Sequence, residues 1–177
     1  GVFKKPVMNT RLFVRNFSLN QGRLGDLDVY GAWDNEKRGI YLDASIQDIS
    51  ASPSRVTGMI YPLKPESGLD LNIDAHELNL KFLEFYMKSI AQDIKGRGTG
   101  KVHFYGKFNG LNLDGAVMTD ASMKFDILNT HFAVRDTIRL APTGLELNNM
   151  HIADLEGHSG TMNGYLRFKH FKNINYR

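Results

Sequence analysis

Cysteine is absent from the 177-residue chain, which excludes a disulfide framework and any thiolate metal site. Long apolar runs are missing too: no stretch approaches the ~20 consecutive apolar residues that a membrane-spanning helix needs. Neither charge sign dominates. Lys and Arg number 22 against 19 Asp and Glu, leaving +3 at pH 7. That permits contact with anionic headgroups but lacks the clustered basic face that nucleic acid demands, so no nucleic-acid partner is expected. An initiator methionine and a charged-then-apolar leader are also missing. The chain starts at Gly1 and stops at Asn175-Tyr176-Arg177, straight after a strand-like run. We therefore expect a segment of a longer protein, with a signal or anchor upstream. A composition of 42% hydrophobic and 23% charged residues belongs to a globular domain.

What the chain has in quantity is alternation. From Gly98 to Phe168 it reads as short runs in which apolar and polar residues take turns, separated by turn-formers. Successive side chains of a strand point to opposite faces, so this spelling gives one dry face and one wet face. Val102, Phe104 and Phe108 share a face with Gly106; Met123, Phe125 and Ile127 repeat the pattern, as do Met162, Leu166 and Phe168. Leu145 and Leu147 fall on odd positions whereas Met150 and Ile152 are even. Keeping all four on one side requires a bulge near Asn148-Asn149.

The first half carries the same signal. Leu27, Val29, Gly31 and Trp33 oppose Asp26, Asp28 and Tyr30. Ile40, Leu42, Ala44 and Ile46 oppose Tyr41, Asp43, Ser45 and Gln47. Leu69, Leu71, Ile73 and Ala75 oppose Asp70, Asn72 and Asp74. The run from Leu12 to Leu19 is ambiguous, with apolar residues at both even and odd positions. Between the halves the period changes. Leu80, Leu83, Phe85, Met87, Ile90, Ala91 and Ile94 recur at steps of mostly three and four, which predicts an amphipathic α-helix around residues 79–95 lying on the sheet. The fold expected is mainly β: a first meander over 11–75, a crossing helix over 79–95 and a second meander over 98–170. Glycines inside strands (Gly31, Gly58, Gly106, Gly115, Gly164) imply a strongly curved antiparallel sheet, a trough with an apolar concave wall.

Catalytic chemistry finds little support. The cluster His151-x-x-Asp154-x-x-x-His158 has metal-ligand residue types, but strand geometry sends His151 and Asp154 to opposite faces, and Asp154 suits a turn backbone better. Ser159 beside His158 has no third member. Asp26/Asp28 and Asp70/Asp74 read as solvated stripes rather than a glycosidase pair. The glycine-rich Gly96 to Gly100 precedes a strand, not a helix, and lacks phosphate-cradling geometry. No catalytic residue, metal or cofactor is therefore expected.

Several motifs occur in a suggestive order. These are Gly98-x-Gly100-x-Val102-x-Phe104-x-Gly106, Leu113-Asp114-Gly115, the stretch Phe125 to Thr130, and Asp136-Thr137-Ile138. Leu145-x-Leu147-x-Asn149-Met150-x-Ile152-x-Asp154-x-x-Gly157 follows, and Asn163-Gly164 with His170-Phe171-Lys172-Asn173 closes the set. Upstream, Gly25-Asp26-Leu27 to Trp33-Asp34-Asn35 belongs with them. Together they resemble the C-terminal region of the TamB family, over roughly residues 17–176. The resemblance implies a long envelope protein of the AsmA-like group, anchored in the inner membrane and reaching through the periplasm of Gram-negative bacteria. It implies a taco-shaped sheet with an apolar interior, related to bridge-like lipid transfer proteins, and phospholipid movement towards the outer membrane. It also implies partnership with an outer-membrane barrel protein in autotransporter assembly.

Residues alone leave open whether the apolar face is a sealed core or an open groove; the resemblance favours the groove. Its lining would then be Val102, Phe104, Phe108, Met123, Phe125, Ile127, Leu145, Leu147, Met162, Leu166 and Phe168, with phospholipid acyl chains as guests. The basic end (Arg167, Lys169, His170, Lys172, Arg177) suits anionic headgroups or a guarded edge strand equally. One rival is an interaction module whose edge strand pairs with a barrel protein or, in the isolated fragment, with a second copy. Another is a carbohydrate-binding β-sandwich gathering Trp33, Tyr30, Tyr41 and Tyr105 on one wet surface.

Overall fold

In the computed structural model, residues 8–63, 65, 67–88, 90–126, 128–169 and 172–176 are described, the last two strand residues of 159–169 and all of 172–176 by backbone only. Eleven strands follow one another in space as they do in sequence. They are β1 (Asn9–Leu19), β2 (Gly22–Asp34), β3 (Gly39–Gln47), β4 (Ser54–Tyr61), β5 (Gly68–Asn79), β6 (Ala91–Lys107), β7 (Gly110–Phe125), β8 (Thr130–Ala141), β9 (Gly144–Asp154), β10 (Ser159–Lys169) and β11 (Lys172–Tyr176). Each pairs antiparallel with its neighbours, in one sheet that does not close into a barrel.

The register explains why a single layer suffices to sort the residues. Pairing across the sheet runs Leu12, Val29, Ala44, Val56, Ile73, Val102, Gly115, Leu140, Leu145, Leu166, one residue from each of ten strands and none of them polar. One residue along each strand, the row reads Phe13, Asp28, Ser45, Arg55, Asp74, Lys101, Ala116, Arg139, Glu146, Tyr165. Directly opposed side chains share a face, so the alternation within each strand becomes a continuous apolar wall backed by a polar one.

Four bulges with a left-handed non-glycine residue, together with a further register shift at Leu24 of β2, keep that sorting intact near one rim. Asn16, Glu77, Asp93 and Asn149 adopt left-handed backbone with φ between 48 and 53, each beside a register shift. Each bulge inserts one residue. Apolar residues three apart (Val14 and Phe17, Ala75 and Leu78, Ala91 and Ile94, Leu147 and Met150) thereby stay on the same face. The amides displaced from the ladder find side chains. Asn16 N–H donates to the Asp26 carboxylate at 2.9 Å, Glu77 N–H to Thr99 Oγ1 at 3.0 Å, and Asn149 N–H to Asn163 Oδ1 at 2.7 Å. The bulge expected at Asn148-Asn149 is present, and the one at Asn16 resolves the ambiguous face of β1.

The helix expected over 79–95 is not. Leu80–Phe85 forms a six-residue 3-10 turn, its first turn capped by the Asn79 side chain accepting from Lys81 N–H at 2.9 Å. From Ala91 onward the chain is strand β6. The three-residue spacing of Ala91 and Ile94 comes from the bulge at Asp93, which mimics a helical step. β5 and β6 pair directly, so the two meanders run on as one sheet.

The sheet curls hard at this rim. β2 touches β5, although a flat sheet would hold strands three places apart about 14 Å from each other. The 3-10 turn fills the curl from inside, resting between two glycines. A Cβ on Gly22 of β2 would lie 2.5 Å from Phe82 N, and one on Gly98 of β6 would lie 3.1 Å from Leu80 Cδ2. Asp48, in the β3–β4 connection, ties the curl from outside, accepting from Arg23 at 3.1 Å and Arg97 at 2.8 Å. Beneath the turn lies the core: Leu80, Ala91, Ile94, Ala121, Met123, Val134 and Met150, all buried.

Candidate functional site

The inner wall is largely apolar, broken by Thr119 and Asp136 where β7 and β8 pair, and differs in cover along its length. Under Leu80–Phe85 and the following residues it is buried. Away from that rim, Trp33, Ile40, Leu42, Val56, Ile60, Leu69, Ile73, Val102, Phe104 and Leu113 are only half-buried. Among the described residues no second sheet lies over them.

The residues expected to line a groove fall into distinct groups. Val102 and Phe104 stand on the half-buried wall, Phe104 opposite Leu71 and Leu113. Leu145 and Leu166 pair with each other at the far side of the same wall. Met123 belongs to the buried core, with Phe125, Leu147 and Met162 packed against it, and Phe125 meets Phe132 at a ring separation of 5.9 Å. Phe108 is displaced from the wall. β6 ends at Lys107, which pairs with Gly110, so Phe108 sits in the two-residue turn and is half exposed. Ile127 lies outside the described residues, and so does the side chain of Phe168.

The expected lining omitted the wall built by β1–β5, including Val29, Leu42, Val56 and Ile73, which the register makes continuous with Val102. Its alternation was as plain as that of the second half; only the pairing shows that both halves form one surface.

The outer face is charged and internally satisfied. Arg11 binds Asp28 at 2.9 Å and holds its carboxyl below the usual carboxylate range. Arg55 binds Asp43 through two contacts of 3.0 Å, and His103 meets Asp70 at 2.7 Å while stacking on Tyr105. Burial and the neighbouring Asp114 push the Tyr105 phenol up. Asp74 lies near Lys101 and His76, completing solvated stripes of the kind the spacing implied. Two shallow depressions of about 580 and 590 Å³ lie on this wet side, one walled by Tyr41, Asp43, Arg55 and His103, the other by Arg135, His151 and Thr161. Trp33 faces the inner wall opposite Ile40, whereas Tyr30, Tyr41 and Tyr105 face out. The four do not gather on one surface, and one sheet stands where a sandwich needs two.

Asp154 behaves as a turn residue. Its carboxylate accepts from the amides of Glu156 and His158 at 2.9 and 2.8 Å and meets the His158 ring at 2.9 Å. Partial burial opposes its ionisation, but the His158 ring and the two amides outweigh it and hold the carboxyl low. His151 is not in this group; it faces Asp136, 3.5 Å away on β8. Asp136 is the one inner-face carboxylate in the middle of β8. The amides of Thr137 and His151 hold its pKa down, and the second of these is freed by the β9 bulge.

Chemically, then, the inner wall offers dispersion contact over a long path with few directional groups, which suits a guest that is itself apolar and mobile. Set against family models, curated proteins and solved structures, the chain matches none.

Proposed function

We propose that this chain is a non-enzymatic, lipid-conducting segment of a TamB-type envelope protein, working in the periplasm and accepting phospholipid acyl chains on its inner wall. One observation carries this reading: a single-layer sheet presents a row of apolar residues unbroken across ten strands, with its fullest cover at one rim. A soluble domain ordinarily buries such a face under a second layer. Each acyl CH2 transferred from water contributes ~0.8 kcal/mol, and the scarcity of polar hooks lets a chain slide without a strong stop.

Native mass spectrometry of the purified chain should show bound phospholipid. Phe104→Asp places a charge on the half-buried wall and should remove that mass while the melting transition persists. Val134→Asp, in the buried core, should unfold the chain. If Phe104→Asp unfolds it as well, or if no lipid is carried, the wall is ordinary core and the proposal fails.

A second reading rests on the free edge of the sheet. Among the described residues β1 pairs on one side only and exposes Leu12 and Phe13, so a strand of a barrel protein could add there. A proline at Arg15 should weaken such capture and leave lipid binding intact.

A further inference from the structure

Five connections lie at the bulged rim, where β1, β3, β5, β7 and β9 end. Four of them lift large apolar side chains into solvent: Ile49, Phe85 with Tyr86, Leu128 and Leu155, between 51% and 77% exposed. From these we infer that the bulged rim seats on a lipid bilayer, with its loop tips inserted at the headgroup boundary and the inner wall leading away from it. The inference rests on the lipid-conducting reading for its purpose, and on separate residues for its observations.

The arrangement favours a bilayer over a protein. The tips stand on separate loops about two strand spacings, roughly 10 Å, apart, with polar residues between them. A rigid partner needs a contiguous face of about 800 Å² per side, whereas a bilayer admits side chains one by one. Phe85 and Tyr86 meet edge to face at 5.3 Å, and the Lys88 ammonium lies 4.6 Å above the Phe85 ring. Apolar rings with a polar phenol and a cation beside them suit the interface between headgroups and acyl chains. Some charges near the tips are paired in place, Asp48 by Arg23 and Arg97 and Glu84 by Lys81, whereas Asp154 and exposed Glu156 flank Leu155 with His158 beside both. Seating the rim would keep Glu156 and Asp154 in the hydrated headgroup layer while the neighbouring apolar tips reach deeper. Among the described residues the opposite rim exposes Met8, Leu63 and Phe108 in three different segments, and its β2–β3 connection is the charged Glu36–Lys37–Arg38.

Flotation of the whole chain with vesicles of phosphatidylcholine and phosphatidylethanolamine tests this. Binding should survive about 0.5 M salt, because neutral apolar insertion is not screened. Phe85→Ser and Leu155→Ser should each lower partitioning about tenfold, and Leu63→Ser and Phe108→Ser should leave it within about twofold. All four positions are exposed, and an unchanged melting curve verifies the fold of each variant. Binding abolished by salt, an equal loss from the opposite rim, or no flotation would each overturn the inference. So would a dimer in sedimentation that Leu155→Ser dissolves while vesicles go unbound. Native mass spectrometry of Phe85→Ser separates the two proposals. Retained lipid with lost flotation supports the rim, whereas flotation by a chain that carries no lipid leaves the rim standing and removes the conduit.

Discussion

At Asn149 the backbone takes φ 50, a conformation that costs most L-residues about 1–2 kcal/mol and that asparagine tolerates best. Asn149→Val should therefore destabilise by about 1–2 kcal/mol in urea unfolding, while Asn149→Gly should be near neutral. A large loss from the glycine variant would mean that the side chain, not the backbone, holds the bulge. Asp136 shows the same bulge from the other side. Two amides favour its ionised form, so its folded pKa lies below its unfolded value near 3.9. Its contribution is present above the unfolded pKa and lost as pH falls through the folded one. Melting temperature followed from pH 7 to pH 2 should drop across that window, and Asp136→Asn should start lower at pH 7 and flatten the acid limb. An acid limb unchanged in the variant would place the titration elsewhere. The location of the bulge was legible, because Leu145, Leu147, Met150 and Ile152 change parity on a chain that must stay one-sided. The residues that satisfy it were not: Asn163, which accepts from Asn149 N–H, and Asp136, which accepts from His151 N–H, lie on neighbouring strands and read as ordinary polar positions.

Among the elements, the 3-10 turn Leu80–Phe85 has the least local support. Glu84 holds it by binding the Lys81 ammonium at 2.6 Å and the Ile94 amide at 3.1 Å, and both contacts keep the Glu84 carboxyl low. That stabilisation too is present above the unfolded glutamate pKa and fades in acid. Leu80→Ala should cost about 2–4 kcal/mol, since the side chain is buried over Gly98. Gly22→Ala should cost about 1–3 kcal/mol by driving a methyl against the backbone of Phe82, and should expose residues 80–90 to limited proteolysis. Protection equal to the parent chain would show that the turn does not rest on Gly22. This stretch misled the sequence reading for a physical reason. A bulged strand entered from a tight turn places apolar residues three and four apart, as a helix does, and periodicity does not separate the two.

Across the whole molecule, strands, order and faces were largely legible, because short antiparallel runs with one dry side spell their own alternation. The curl was not. It depends on Gly22 and Gly98 accepting the same turn and on Asp48 reaching both Arg23 and Arg97, contacts between segments far apart in the chain. Stability should grade accordingly. Amide exchange should be slowest around Val134, Ala121 and Ile94 beneath the turn and faster along β1, which among the described residues pairs on one side only. Uniform protection would contradict a sheet sealed at one rim alone.

The strands among the described residues number eleven, an odd count, and the pairing order turns that parity into a rule for their self-association. The two outermost strands run in the same direction, so copies joined border to border by translation alone would meet as parallel neighbours. A border that keeps antiparallel geometry with its own copy must do so about a twofold axis, and that contact saturates at two molecules. A sedimentation profile halting at the dimer would thus point to one adhesive border, and long arrays to both.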